Sequence, residues 1–112
     1  MAFRKLTTLP NSASGTYIRL SAYRWDRVTR EASAHFHLYA SPTAAQATPG
    51  SPLCLIAVLR LSGAKFDEYM SPGALDAPGG SALKQLYAAA RSEPLIAGGE
   101  LTQVDFADAA DV

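Results

Sequence analysis

Two histidines, His35 and His37, stand two positions apart in a segment that alternates apolar and polar residues. On a β-strand this spacing places both imidazoles on one side, and imidazole is a common zinc ligand. A structural zinc site needs four ligands and a catalytic site needs three, whereas the chain adds a single cysteine, Cys54. We therefore predict no metal site and two polar residues on the less buried face of a sheet. A pH-sensitive interface is the alternative, because histidine titrates near neutrality.

Ser81 and Lys84 have the S-x-x-K spacing in which an amine can activate a serine nucleophile. The S-D-N and K-T-G elements that accompany it in penicillin-recognising enzymes are missing. Serine before an apolar periodic segment also favours a helix N-cap. We predict that Ser81 caps a helix, that Lys84 is solvated, and that the protein is not an enzyme and uses no cofactor.

Three arginines, Arg24, Arg27 and Arg30, cluster around a polar segment beside Tyr23 and Trp25. Basic residues interleaved with aromatic ones can bind single-stranded nucleic acid through phosphate contact and stacking. The same residues can form a solvated turn or contact an acidic protein surface. All three interpretations stay open at this point.

The charge of the chain is neutral overall and segregated along its length. Formal net charge is zero over 112 residues, so no whole-molecule field attracts nucleic acid. Residues 1–60 carry seven basic and two acidic side chains, and residues 61–112 carry three basic and eight acidic ones. Either the two halves pack together and cancel, or they are complementary to neighbouring copies or to a partner. No apolar segment is long enough to span a bilayer, which predicts no membrane contact.

Alternating and apolar segments predict the elements that position these residues. Residues 16–25 and 32–41 alternate and predict a hairpin with a loop longer than two residues. Residues 53–61 are apolar on both faces until Arg60, which predicts a strand covered on both sides. Residues 62–70 predict a short helical turn, residues 81–92 the main helix, and residues 95–97 a possible short strand.

The resulting prediction is an α+β fold, a small antiparallel sheet of three or four strands with one main helix on one face and extended termini. Residues 1–15 are expected to form an arm with little regular structure, residues 16–97 a single domain, and residues 98–112 an acidic extension. One helix covers one sheet face, so the other face and the termini are expected to contact other subunits. The predicted interface residues are Tyr17, Tyr23, Arg24, Trp25, Arg27, Arg30, Tyr39 and Phe106.

The chain resembles small proteins from the structural gene modules of tailed bacteriophages. The resemblance lies in the order of five segments, 17–23, 34–39, 66–71, 82–88 and 105–112, and in their aromatic residues. It implies a non-enzymatic virion component of the tail, baseplate or neck, assembled in the host cytoplasm. Such a protein is expected in several copies, as a homo-oligomer that can close into a ring, with other virion proteins as partners. The alternative is a small cytoplasmic nucleic-acid-binding module that uses the arginine-rich hairpin.

Overall fold

The fold is a small α+β arrangement in which helices pack on an antiparallel sheet. The computed structural model describes residues 2–8, 14–47, 50, 52–71, 73, 75, 81–98, 105–107 and 109–111. The strands are β1 (Phe3–Thr8), β2 (Ser14–Asp26), β3 (Glu31–Tyr39), β4 (Cys54–Ser62), β5 (Ile96–Ala97) and β6 (Ala110–Asp111). The helices are α1 (Pro42–Ala47), α2 (Ala64–Met70) and α3 (Ala82–Ser92). The sheet order is β5-β4-β3-β2-β1-β6, and all neighbours are antiparallel.

Both chain ends belong to this sheet, which differs from the predicted arm and extension. Phe3–Thr8 pairs with β2 on one side and with β6 on the other. Phe3 and Phe106 are each 1% exposed, so the two segments contribute to the core. The prediction missed this because single aromatic residues in polar segments give no periodic signal. The segment after β3, predicted as a loop, also begins with a short helix, α1.

An aromatic cluster forms the centre of the core between the sheet and α3. The Phe3 ring lies 5.1 Å from the Tyr87 ring and 5.2 Å from the Phe106 ring, between centroids. Phe36 lies 5.5 Å from both Tyr87 and Phe106, with its ring edge-to-face to each. Edge-to-face pairs of this kind add to the stabilisation that burial provides. The cluster therefore joins β1, β3, α3 and the C-terminal segment into one core.

The main helix, α3, begins where the sequence predicts. Ser81 Oγ accepts a hydrogen bond from the backbone N–H of Lys84 at 3.1 Å, which confirms Ser81 as the N-cap. Leu86 and Tyr87 are buried at the helix face that meets the sheet. The helix therefore covers one face of the sheet, as expected for a two-layer α+β fold.

An ion pair joins the two helices on this side of the sheet. Lys65 Nζ lies 3.2 Å from Glu68 within α2 and 3.0 Å from Glu93 after α3. We call the sheet face that meets α2 and α3 the inner face and the opposite one the outer face.

A β-bulge changes which side chains share a face along β2. The pairing with β3 shifts by one residue between Leu20 and Ala22. Since side chains alternate between the faces of a strand, one extra residue reverses the alternation beyond it. Up to Leu20 the even-numbered residues of β2 face inward, and after the bulge Tyr23 and Trp25 do. The backbone N–H of Leu20 donates to the Tyr87 hydroxyl at 2.8 Å.

Candidate interaction surface

The outer face of the sheet is arranged in cross-strand rows of polar side chains. Residues opposite each other in antiparallel strands lie on one face, so each row follows from the pairing of β2, β3 and β4. In this way Arg24 pairs with Ser33, and Ser33 pairs with Arg60. From the hairpin end, the rows are Asp26–Glu31–Ser62, Arg24–Ser33–Arg60, Ala22–His35–Val58, Arg19–His37–Leu55 and Tyr17–Tyr39.

Four exposed arginines lie on this face. Arg24 and Arg60 lie on the strands to either side of Ser33, about 10 Å apart at the backbone, and Arg19 and Arg4 follow along the sheet. No described carboxylate lies within 4.0 Å of any of them to form an ion pair. By contrast, Arg30 and Lys65 are paired with carboxylates. The outer face thus concentrates positive charge that the described part of the chain does not neutralise.

A groove of about 530 Å³ lies over the hairpin end of this surface. Arg24, Arg60 and His35 contribute to its walls, and Asp26 and Glu31 line its far end. Asp26 Oδ1 accepts hydrogen bonds from the backbone N–H groups of the turn, at 2.8 Å from Val28. The lining of the groove therefore combines two arginines with a short acidic row at the hairpin end.

The two histidines lie on the outer face, on the side of the strand that the sequence predicts. His35 is exposed, whereas His37 is half-buried and its Nδ1 is hydrogen-bonded to Oγ of Ser21, the bulge residue. Ser21 Oγ also donates to the backbone carbonyl of His35 at 3.1 Å. Burial first, and the neighbouring His35 second, lower the pKa of His37. Among the described residues, no group of three or more His, Cys, Asp and Glu side chains could hold a metal ion.

The predicted aromatic face is divided between the two sides of the sheet. Tyr17 and Tyr39 lie on the outer face with ring centroids 6.5 Å apart, and Tyr39 is buried. Because of the bulge, Tyr23 and Trp25 lie on the inner face, where Trp25 packs against the core. Phe106, predicted as an interface residue, is a core residue of this chain. The prediction of strict alternation along β2 fails because Ser21 is an extra residue in the pairing with β3.

The three arginines predicted as a cluster have three different environments. Arg24 lies on the outer face. The Arg27 guanidinium carbon lies 5.0 Å from the centre of the Trp25 ring, a cation–π contact. Arg30, in the left-handed conformation at φ 54°, donates through Nε to Asp67 of α2 at 3.2 Å. Two of the three therefore position the turn, and the four-residue turn confirms the prediction of a loop longer than two residues.

A small apolar patch lies beside the basic rows. Leu55 and Val58 are the outer-face apolar residues of β4, and both are half-buried. The pairing of β4 with β3 shifts between Phe36 and His37, and the adjacent residues Ile56 and Ala57 are both buried. Much of the two-sided apolar character of β4 is thus explained within the chain, and the patch that needs outside cover is smaller than the sequence indicates.

The arginines outside the hairpin were not included in the sequence prediction. Arg4, Arg19 and Arg60 are separated along the chain by up to 56 positions, and only the strand pairing brings them to one face. The available signal was the position of Arg60 in an otherwise apolar strand, opposite a polar residue of β3.

Three comparisons, with protein-family models, curated proteins and solved structures, found no match to this chain. No helix of the described residues is long and apolar enough to cross a membrane.

Proposed function

We propose that this protein is a non-enzymatic assembly protein, a multi-copy tail, baseplate or neck component of a tailed-phage virion. In this proposal the outer face of the sheet contacts neighbouring subunits. The observation that carries it is the asymmetry of the sheet, because α2 and α3 pack on the inner face while exposed arginines lie on the outer one. The resemblance to phage structural proteins supplies the virion context.

The composition of the outer face supports a contact between proteins. Arginine and aromatic residues are enriched at protein interfaces, whereas lysine is depleted. The outer face combines four arginines with Tyr17 and the patch of Leu55 and Val58, and β2, β3 and β4 contain no lysine. A surface of this kind suits an ordered contact better than a diffuse electrostatic one.

A nucleic-acid-binding module is the second candidate function. The four outer-face arginines favour it, since phosphates bind arginine bidentately. The prediction of nucleic-acid binding was based on the arginine-rich hairpin. That hairpin does not present one basic face, because Arg30 pairs with Asp67 and Arg27 packs on Trp25. Filter binding of an oligonucleotide at increasing salt tests this candidate, because phosphate contacts give a steep salt dependence.

Mass spectrometry of purified particles tests the proposed function. Particles released by the host that carries this gene are banded by density and digested with trypsin. The tryptic peptide that begins at Glu31 and ends at Arg60 is long and contains no internal lysine or arginine, so it serves as a marker. We expect this peptide in the particle band at several copies per particle. Its absence from particles that otherwise contain the complete set of structural proteins would contradict the proposal.

A further inference from the structure

We propose that the outer face docks a polypeptide segment rich in carboxylates, supplied by another protein of the assembly. This inference rests on the proposed function and adds the chemical class of the partner. Its structural basis is the row Arg24–Ser33–Arg60, with Arg19 and Arg4 continuing the positive surface along the sheet.

The spacing of the arginines suits carboxylates held on a second backbone. Arg24 and Arg60 lie about 10 Å apart at the backbone, two strand spacings across the sheet. Guanidinium groups bind carboxylates bidentately, and the Ser33 hydroxyl between them can donate a further hydrogen bond. A strand or helix that carries acidic side chains can therefore contact both arginines together.

The apolar patch beside the arginines favours a folded or folding polypeptide as the occupant. Leu55 lies in the row of Arg19, and Val58 lies in the row next to Arg24 and Arg60. Both are half-buried, so a docked chain can cover their remaining apolar surface. Apolar contact supplies affinity while the arginines supply orientation and association rate.

Two features of the face disfavour a nucleic acid in this place. The basic surface ends at the Asp26–Glu31 row, which repels a phosphate backbone that continues along the hairpin. Tyr39 is buried and Tyr17 half-buried, so the described part of the outer face has no exposed tyrosine, tryptophan or phenylalanine ring on which a base can stack. A carboxylate cluster of limited length avoids the acidic row.

Binding of a short, fluorescently labelled poly-L-glutamate that spans only the arginine rows, measured by anisotropy at increasing salt, tests the inference. The test variant is Arg24→Glu with Arg60→Glu, which lowers the net charge by about four, and the control variant is Arg27→Glu, which lowers it by about two. We expect the wild type to bind and the double reversal to weaken binding at least about tenfold, equivalent to about 1.4 kcal/mol. Arg27→Glu is expected to change binding by less than about twofold, because this side chain lies on the turn and contacts Trp25.

The remaining outcomes overturn the inference. A loss of binding free energy in Arg27→Glu that is half that of the double reversal, or larger, would show a non-specific charge effect, because Arg27→Glu changes the net charge half as much. Tighter binding of oligo(dT) than of poly-L-glutamate at the same salt would assign the face to nucleic acid. Self-association that the double reversal abolishes, without binding of poly-L-glutamate, would assign it to a second copy. Absence of binding in a protein that is nevertheless present in particles would overturn this inference alone, whereas absence from particles would overturn the proposed function.

Discussion

The hydroxyl of Tyr87 accepts a backbone hydrogen bond beside the bulge of β2. Its donor is the N–H of Leu20, the residue before Ser21, at 2.8 Å. Desolvation by burial raises the pKa of Tyr87, with the hydrogen bond from Leu20 acting in the opposite direction. A single side chain on α3 therefore binds the backbone of β2 next to the bulge that determines which residues of β2 reach the outer face.

Replacement of Tyr87 by phenylalanine tests this role. The change leaves the buried N–H of Leu20 unpaired while it keeps the ring in the aromatic cluster, so we expect a loss of about 1–3 kcal/mol in the free energy of unfolding. Denaturant unfolding measures it. Tyr69→Phe is the matched control, because the described residues offer the Tyr69 hydroxyl no hydrogen bond. A loss no larger than that of Tyr69→Phe would contradict the role.

Lowered pH is expected to destabilise the fold through His37. Its folded-state pKa lies below the usual 6.5, so just below pH 6.5 the unfolded chain binds the proton more readily than the folded one. The free energy of unfolding therefore falls as the pH decreases from 6.5 toward the lowered pKa of folded His37. Above pH 6.5 this contribution to stability is fully retained. His37→Asn should flatten this part of the pH profile relative to the wild type. Parallel profiles for the two proteins would refute the expectation.

At the scale of elements, long periodic segments were predictable and their exceptions were not. The hairpin of β2 and β3, strand β4 and helix α3 follow from alternation, apolar content and the Ser81 cap. The bulges at Ser21 and in β4 are visible only in the pairing of the strands, and a prediction from strict alternation does not include them. For that reason Trp25 was predicted on the outer face and lies on the inner one.

Substitutions in β1 test whether this segment is a strand of the core or an arm with little regular structure. Phe3→Ala removes a ring that contacts Phe36, Tyr87 and Phe106, and we expect a loss of about 3–5 kcal/mol in the free energy of unfolding. Leu6→Ala on the same strand is the control, since Leu6 is 72% exposed, and its cost should stay within about 0.5 kcal/mol. Similar small effects in both variants would restore the interpretation of residues 1–15 as a free arm.

The N-cap of α3 is expected to contribute measurably to stability. Ser81→Ala removes the acceptor for the Lys84 N–H and should cost about 1 kcal/mol, whereas Ser81→Asp should preserve most of the stability. Thermal or urea unfolding of the three proteins measures the difference. If aspartate fails to substitute for serine while alanine is harmful, the side chain has a role other than capping.

At the scale of the whole molecule, strand pairing brings arginines that are distant in the sequence onto one face of the sheet. The basic first half supplies the outer-face arginines, and part of it cancels internally where Arg30 of the hairpin turn meets Asp67 of α2. Charge counting left open whether the two halves cancel or are complementary to a partner, and it could not show which arginines are paired and which lie free of described carboxylates. That distinction depends on strand pairing and on contacts between residues distant in sequence.

Incorporation into particles is the most direct test of the outer face as the assembly surface. A host deleted for the gene is complemented with the wild type, with Arg24→Glu/Arg60→Glu, or with Arg27→Glu, and each protein is quantified in purified particles after its fold is verified by circular dichroism. We predict wild-type incorporation for Arg27→Glu and loss of the folded double variant from particles. Equal incorporation of both variants would contradict the central claim that the outer face makes the assembly contact.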